Sequence, residues 1–220
     1  MFDTDSWVIL DTETTGFGHP VYPVEIAAQR MLGWCPHGAP FRVLVDFDVP
    51  IEPAAERVHG YSRDYLRSNG CKPDEALAVF LNYVGKSPVV AYNLNYDCGT
   101  VLAPTIRRMR IRPQLLPGFC ALDLTRNVVP LLPNFKLKTV VKAFGIAQKQ
   151  EHHAAGDVAL VVRLLCEYIG PHLAQSGVQG FEQIASCSVG KLNVPPLILT
   201  KPPTKQKTAP ELQTALTPTA

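Results

Sequence analysis

Residues 7–16 read Trp7-Val8-Ile9-Leu10-Asp11-Thr12-Glu13-Thr14-Thr15-Gly16, an apolar run that passes directly into two carboxylates and a Thr-Thr-Gly turn. A short apolar run ahead of a turn signal is the pattern of a buried strand. Side chains alternate faces along a strand, so Asp11 and Glu13 share one face. Two like charges on one face repel, and a fold retains them where something positive sits between them. A divalent cation with hard oxygen ligands meets that need. A strand end whose acids are merely solvated would read the same way, so the rest of the chain has to decide.

Val89-Val90-Ala91-Tyr92-Asn93 is a second apolar strand that ends in polar residues, and Asp97 follows it. Val101, Leu102, Ile106 and Met109 then recur at helical spacing, which puts Asp97 at or just inside a helix start. An acid there also complements the helix dipole, worth about 0.3–1 kcal/mol, so Asp97 alone carries no functional weight. The third element is Glu151-His152-His153-Ala154-Ala155-Gly156-Asp157. Leu160, Val161, Leu164, Leu165 and Tyr168 follow with helical period, so Asp157 lies early on an amphipathic helix and His152 in the approach to it. Taken together, Asp11, Glu13, Asp97 and Asp157 bring four carboxylates, with one titratable histidine, from strand ends and helix starts.

With these elements in place the chain resembles the DEDDh branch of the 3′→5′ exonucleases, most of all the proofreading epsilon subunits of bacterial polymerase III. Asp-x-Glu-Thr-Thr-Gly is similar to that family's first motif, Asn93 with Asp97 to the second, and His-x-Ala-x-x-Asp from His152 to Asp157 to the third. The resemblance spans roughly residues 7 to 170. It includes Val24-Glu25-Ile26-Ala27-Ala28, Val58-His59-Gly60-Tyr61, Leu122-Asp123-Leu124-Thr125-Arg126 and Lys136-Leu137-Lys138.

The resemblance implies removal of nucleotides from 3′ ends by phosphodiester hydrolysis with two divalent ions, Mg²⁺ or Mn²⁺. Asp11 would contact both ions, Glu13 and Asp157 would complete the one that holds water, and Asp97 would act through the second. His152 would be the general base, its ordinary pKa near neutrality suiting it to take the water's proton. His153 is the rival, but only His152 has the spacing of the third motif. Backbone groups of Thr14, Thr15 and Gly16 would face the terminal sugar, with Asn93 and His59 nearby; a His59 that simply packs the turn at Gly60 is an equal alternative. The partner expected is nucleic acid with a free 3′ end, DNA ahead of RNA or short oligoribonucleotides. A polymerase subunit could engage the C-terminal tail. The competing class is a non-catalytic exonuclease-fold module that only binds a polymerase.

Composition adds bounds. The 220 residues are 46% hydrophobic with a net charge of +2, a globular composition whose charge is too small to argue nucleic-acid binding. Any basic surface is local: Arg107, Arg108, Arg110 and Arg112, or Lys136, Lys138 and Lys142, read equally as phosphate contacts and as solvated helix faces. Six scattered cysteines without a Cys-x-x-Cys pair argue against a structural zinc or redox motif and suit a reducing compartment. No signal-peptide pattern or membrane-spanning run occurs, so a cytoplasmic protein with no membrane partner is expected.

Trp7–Leu10, Val24–Leu32 and Arg42–Val49 read as consecutive strands separated by turn-rich segments, hence an antiparallel meander. Helices are expected around Ser62–Arg67 and Asp74–Tyr83, a later parallel strand at Val89–Tyr92, and helices over Lys136–Phe144 and Ala154–Tyr168. The fold class is therefore α/β, a ribonuclease H-like mixed sheet flanked by helices. Residues 1–170 would form the exonuclease domain, 171–194 a weakly structured extension, and 195–220 a Pro/Thr-rich disordered tail. A chain ended near Leu192 is accordingly expected to keep its stability.

Overall fold

Trp7 to Leu10 are all buried, as a strand covered on both faces must be. They belong to β1 (Ser6–Thr14), which pairs antiparallel with β2 (Pro23–Leu32) on one side. On the other side β1 pairs parallel with β5 (Pro88–Ala91). The structure, a computed structural model, describes residues 6–112, 115–129, 131–147 and 153–199. Among these the sheet has six strands in the order β3-β2-β1-β5-β6, with β4 also on β2. Here β3 is Cys35–Pro36, β4 is Phe41–Leu44 and β6 is Leu116–Cys120. The antiparallel meander and the later parallel strand agree with the expected mixed sheet.

Strand alternation divides the core in two. Trp7, Ile9, Ala27, Met31 and Val90 face a layer that includes α5 (Ala121–Val128), α6 (Leu137–Ala143) and α7 (Ala154–Leu164). Val8, Leu10, Ile26, Ala28, Val89 and Ala91 face the opposite way, onto Ala76, Leu77 and Phe80 of α3 (Pro73–Val84) and onto Leu102 and Ile106. A third, smaller cluster joins Val24 and Leu44 to Tyr61 and Leu66, where α1 (Pro53–His59) hands over to α2 (Arg63–Asn69). That handover turns at Gly60, whose left-handed φ of 77° favours glycine.

Three departures from the sequence reading bear on the site. The third expected strand, Arg42–Val49, ends at Leu44, after which Val45 makes an isolated bridge to Cys71 and donates its amide to the Val24 carbonyl at 2.9 Å. Asp97 lies inside a π-helical segment, Asn95–Leu102, which runs into α4 (Ala103–Arg108). Leu116–Cys120 and Ala121–Val128, for which no element is expected from the sequence, form β6 and α5.

The extension after residue 170 is more ordered than its composition suggests. A π-helical turn, Leu165–Ile169, continues α7 into α8 (Gly170–Gln175), and α9 (Phe181–Ser188) follows. Phe181 packs its ring 6.2 Å from Trp7 and 5.4 Å from Phe119, and Ile184 and Cys187 are buried in the same core. Beyond them Val194 and Leu197 lie against that core, and the Leu197 amide donates to the Val128 carbonyl at 2.7 Å. His172 Nε2 donates to the Pro195 carbonyl at 2.7 Å. The anchors are single residues on short elements, so no periodicity announces them. Residues 200–220 of the expected tail lie outside the described residues.

A chain ended after Leu192 should therefore melt below one ended after Leu199. It loses two packed aliphatic side chains and two hydrogen bonds, together about 1–3 kcal/mol. At this size that is roughly 2–4 °C per kcal/mol by calorimetry. Identical melting temperatures would show that residues 193–199 add nothing to the fold.

Candidate active site

β1 runs on past the end of β5: its parallel pairing stops at Leu10 opposite Ala91, whereas the strand continues to Thr14. The carboxyl ends of the parallel strands thus open a step, and ligand sites in α/β sheets gather at such ends. Asp11 and Glu13 project from this overhang on the face covered by α7, as alternation from Trp7 and Ile9 requires. On α7, Asp157 lies in the first turn, its amide donating to the His153 carbonyl at 3.1 Å. Asp11, Glu13 and Asp157 each offer an oxygen, and these oxygens lie within 4.8 Å of one another.

Thr12 points to the other face. Its amide and hydroxyl both donate to Asp97 Oδ1, at 3.1 and 2.7 Å. Asp97 is buried, and this double contact holds it just outside the group of three. Of the four expected carboxylates, three therefore converge directly and the fourth is tied to the strand between two of them.

The electrostatics of the cluster run in one direction. Burial pushes Asp11 well above the usual carboxylate range, and Asp97, Asp157, Glu13 and Glu25 push it further. Glu13 is raised to about 8 by burial, then by Asp157, Glu25 and Asp97. Asp97 rises to about 7 through burial, against the pull of the two Thr12 hydrogen bonds. Protons or a cation must supply what the protein leaves out. The three oxygens are hard donors, spread no wider than one divalent ion's ligand shell, so these residues fit such an ion.

Glu25 is a fifth carboxylate that sequence reading passed over. It lies directly opposite Glu13 in the β1–β2 register and is fully buried. Like charges facing across a ladder are destabilising, and Glu25 has its own compensation. Arg42 Nε donates to Oε1 at 2.6 Å, and the Tyr61 hydroxyl and Ala154 amide donate to Oε2 at 2.9 and 3.1 Å. A lone acid inside Val24-Glu25-Ile26-Ala27-Ala28 was the available signal, since a charge in a buried strand has to be paired.

The expected substrate-contact residues divide. Thr15 has its backbone engaged within the protein: its amide donates to Tyr22 O at 2.9 Å, and its carbonyl accepts from the Glu52 amide at 2.8 Å. Glu52 also accepts from the Gly18 amide at 2.6 Å and lies so close to Gly16 that a Cβ there would meet its Cδ at 2.1 Å. The Thr14 hydroxyl donates to Gly16 O and lies 3.2 Å from the Tyr96 hydroxyl. His59 is buried, with Nε2 donating to Thr14 O at 3.2 Å and Nδ1 accepting from the Tyr61 amide at 3.0 Å. Both ring nitrogens are thus engaged by the backbone, which is the turn-packing alternative for this histidine. Asn93 is exposed at the rim, beside a cleft of about 550 Å³ lined also by Leu94, Cys98, Asp123 and Arg126. His152, the expected base, lies outside the described residues. His153 lies within them, its Nδ1 2.7 Å from the Tyr61 hydroxyl.

The exonuclease family designated RNase_T matches residues 8–165, which hold the whole carboxylate cluster. The chain belongs to that family. Among its relatives, a DNA polymerase III PolC-type protein of Bacillus subtilis is 25% identical over 84% of this chain and 13% of its own length. The DNA polymerase III subunit epsilon of Buchnera aphidicola is 34% identical over 43% of this chain and 42% of its own. Escherichia coli exonuclease I, crystallised with a dT13 oligonucleotide, shares the fold with a TM-score of 0.67 at 21% identity, over 80% of this chain and 44% of that one. The chain thus spans less than half the length of each. Among the described residues of this exonuclease-family chain, no helix is long and apolar enough to cross a membrane.

The raised carboxylates fix the sign of a pH effect. A group whose folded pKa lies above its unfolded value stabilises the fold fully below the unfolded pKa, and that contribution is lost as pH rises through the folded one. In EDTA the melting temperature should therefore fall between about pH 4.5 and 8, the interval of Glu13. Mg²⁺ should restore it most at the alkaline end, and Glu13→Gln should flatten the EDTA profile. Asp11→Asn should raise the melting temperature in EDTA while reducing the gain from Mg²⁺. A metal-free profile that rises over this interval in wild type would contradict the electrostatic picture.

Proposed function

We propose that this chain is a 3′→5′ exonuclease that hydrolyses DNA with Mg²⁺ or Mn²⁺ as cofactor. The observation that carries the reading is the convergence of Asp11, Glu13 and Asp157 from β1 and α7 onto one point, with Asp97 tied beside them. The relatives named as DNA polymerase III proteins and the exonuclease I complex with dT13 favour DNA as substrate. The same relatives support association with a polymerase subunit, for which the C-terminal residues are the candidate contact.

Asp11, Glu13 and Asp157 would hold the metal, with Asp97 completing the site from the other side. Bound ions supply Lewis acidity toward the phosphate and a water of lowered pKa. The protein contributes geometry and proton movement. Thr12 fixes Asp97 from amide and hydroxyl, so the fourth carboxylate cannot rotate away. His152 takes the proton of the attacking water at a ring nitrogen. Phe17, 78% exposed, and Tyr96, with ring centroids 6.3 Å apart, offer an aromatic surface next to the Thr14–Gly16 turn on which a terminal base can stack.

Time courses on 5′-labelled DNA and RNA of one sequence test the reading. Stepwise shortening of DNA from its 3′ end is expected with Mg²⁺ or Mn²⁺ and none in EDTA. Asp11→Ala and Asp157→Ala should nearly abolish turnover with the fold intact. His152→Ala should lower kcat by about 10²–10⁴-fold, the usual worth of general acid–base catalysis, and His153→Ala much less. Undiminished cleavage in EDTA or by Asp11→Ala would overturn the assignment. A clear preference for RNA would move the substrate class.

A further inference from the structure

The hydroxyl of Tyr61 stands at the meeting point of three elements. It donates its single proton to Glu25 Oε2 at 2.9 Å, and Arg42 Nη2 donates to it at 3.0 Å. One lone pair remains, and it faces His153 Nδ1 at 2.7 Å. A tyrosine hydroxyl has one proton and two lone pairs, so with the proton on Glu25 the third bond must run from His153. The arrangement assigns the Nδ1–H tautomer to His153. An aliphatic side chain at position 61 would fill similar space and make none of these bonds.

Glu25 Oε2 also accepts from the Ala154 amide at 3.1 Å, so it binds the opening residue of α7 directly. Two successive residues, His153 and Ala154, are therefore tethered to one buried carboxylate of β2, itself paired with Arg42. The tether lies beside the strand that supplies Asp11 and Glu13, because Glu25 is paired with Glu13 across the ladder and shares its face. It holds the point where the chain passes from position 152 into the helix that carries Asp157.

We propose that Tyr61 is a positioning residue: its hydroxyl links the Glu25–Arg42 pair to His153 and so sets the register of α7 against β1. This rests on the exonuclease reading above. Displacement of a reacting group by about 1 Å can cost on the order of 10²-fold in rate, and loss of one bond of this tether is a smaller disturbance of that kind. The effect belongs in kcat, since Tyr61 is buried and its hydroxyl is engaged wholly within the tether.

The test uses the full chain at saturating Mg²⁺ with Tyr61→Phe, His153→Ala, His153→Asn and the double variant Tyr61→Phe/His153→Ala. Tyr61→Phe keeps the ring that stacks on His59 and Tyr65 and removes only the hydroxyl. Tyr61→Phe and His153→Ala should each lower kcat by roughly 10-fold with KM changed less than about twofold. The double variant should be no worse than either, as for residues of one network. His153→Asn, whose amide can donate where Nδ1–H did, should recover most of kcat. Wild-type kcat in Tyr61→Phe, with only the melting temperature lowered, would reduce the tether to a structural role and overturn the proposal. His153→Asn as poor as His153→Ala would also overturn it, by making the His153 ring itself the reacting base. Nitrogen-15 NMR of the histidine rings reads the tether without any substrate. A wild-type His153 protonated on Nε2 alone would overturn it even if the chain cleaves nothing, whereas failure of cleavage with the Nδ1–H signature intact would count only against the exonuclease reading.

Discussion

The mutual repulsion of carboxylates gathered at the end of β1 is the constraint around which this molecule is arranged. Burial raises the proton affinity of Asp11, Glu13 and Asp97, and neighbouring carboxylates, Asp157 among them, raise it further. A fold under selection for stability alone would disperse such charges or pair each with a base. Here Glu25, the fifth, is closely paired with a cation, Arg42, whereas Asp11 and Glu13 make no ion pair among the described residues. The difference separates two kinds of buried acid in one neighbourhood. Glu25 is satisfied on both oxygens by the protein's own donors and acts as a structural anchor. Asp11 and Glu13 keep their affinity for a positive ligand, and stability held back at a functional site is the usual cost of such preorganisation.

Strand alternation makes the arrangement possible with few residues. Because side chains switch faces at each step, Asp11 and Glu13 reach α7 while Thr12 between them reaches the opposite side and holds Asp97. Three consecutive residues thus recruit two elements far apart in sequence. The overhang of β1 beyond β5 supplies the space. An α-helix in ordinary register would advance Asp97 by 3.6 residues per turn; the π-helical segment, which widens the turn, is the local form in which this residue meets Thr12.

What the sequence made legible follows from which signals are local. The strand-to-turn pattern of residues 7–16 and the helical periods after Asp97 and Asp157 placed all four carboxylates on the right element types, and the turn-separated strands gave the meander. Contacts set by long-range pairing stayed hidden. Arg42 reaches Glu25 only because β4 lies against β2, and Tyr61 meets His153 across 92 positions of chain. Likewise α9 is anchored by Phe181 and Ile184 against Trp7 and Phe119, contacts that two short turns of helix do not announce. The Thr14–Gly16 segment is recognisable from sequence as a turn. Which of its backbone groups are engaged internally depends on Tyr22 and Glu52, and no local pattern encodes that.

Two histidines flanking one tyrosine show how closely these parts are coupled. His59 accepts from the Tyr61 amide at Nδ1 and donates from Nε2 to the Thr14 carbonyl, whereas His153 donates from Nδ1 to the Tyr61 hydroxyl. The same residue type is thus held in opposite tautomers, one by the backbone of Tyr61 and one by its side chain. The left-handed turn at Gly60 is what lets residue 61 present both groups at once, amide toward the Thr14 turn and ring toward α7. Burial lowers the pKa of His59, which favours the neutral ring that this pair of bonds needs. The loop next to Asp11 and Glu13 of β1 and the helix that carries Asp157 are therefore fastened to the same residue. A shift of either one is transmitted to the other through bonds of 2.7 to 3.2 Å rather than through loose packing.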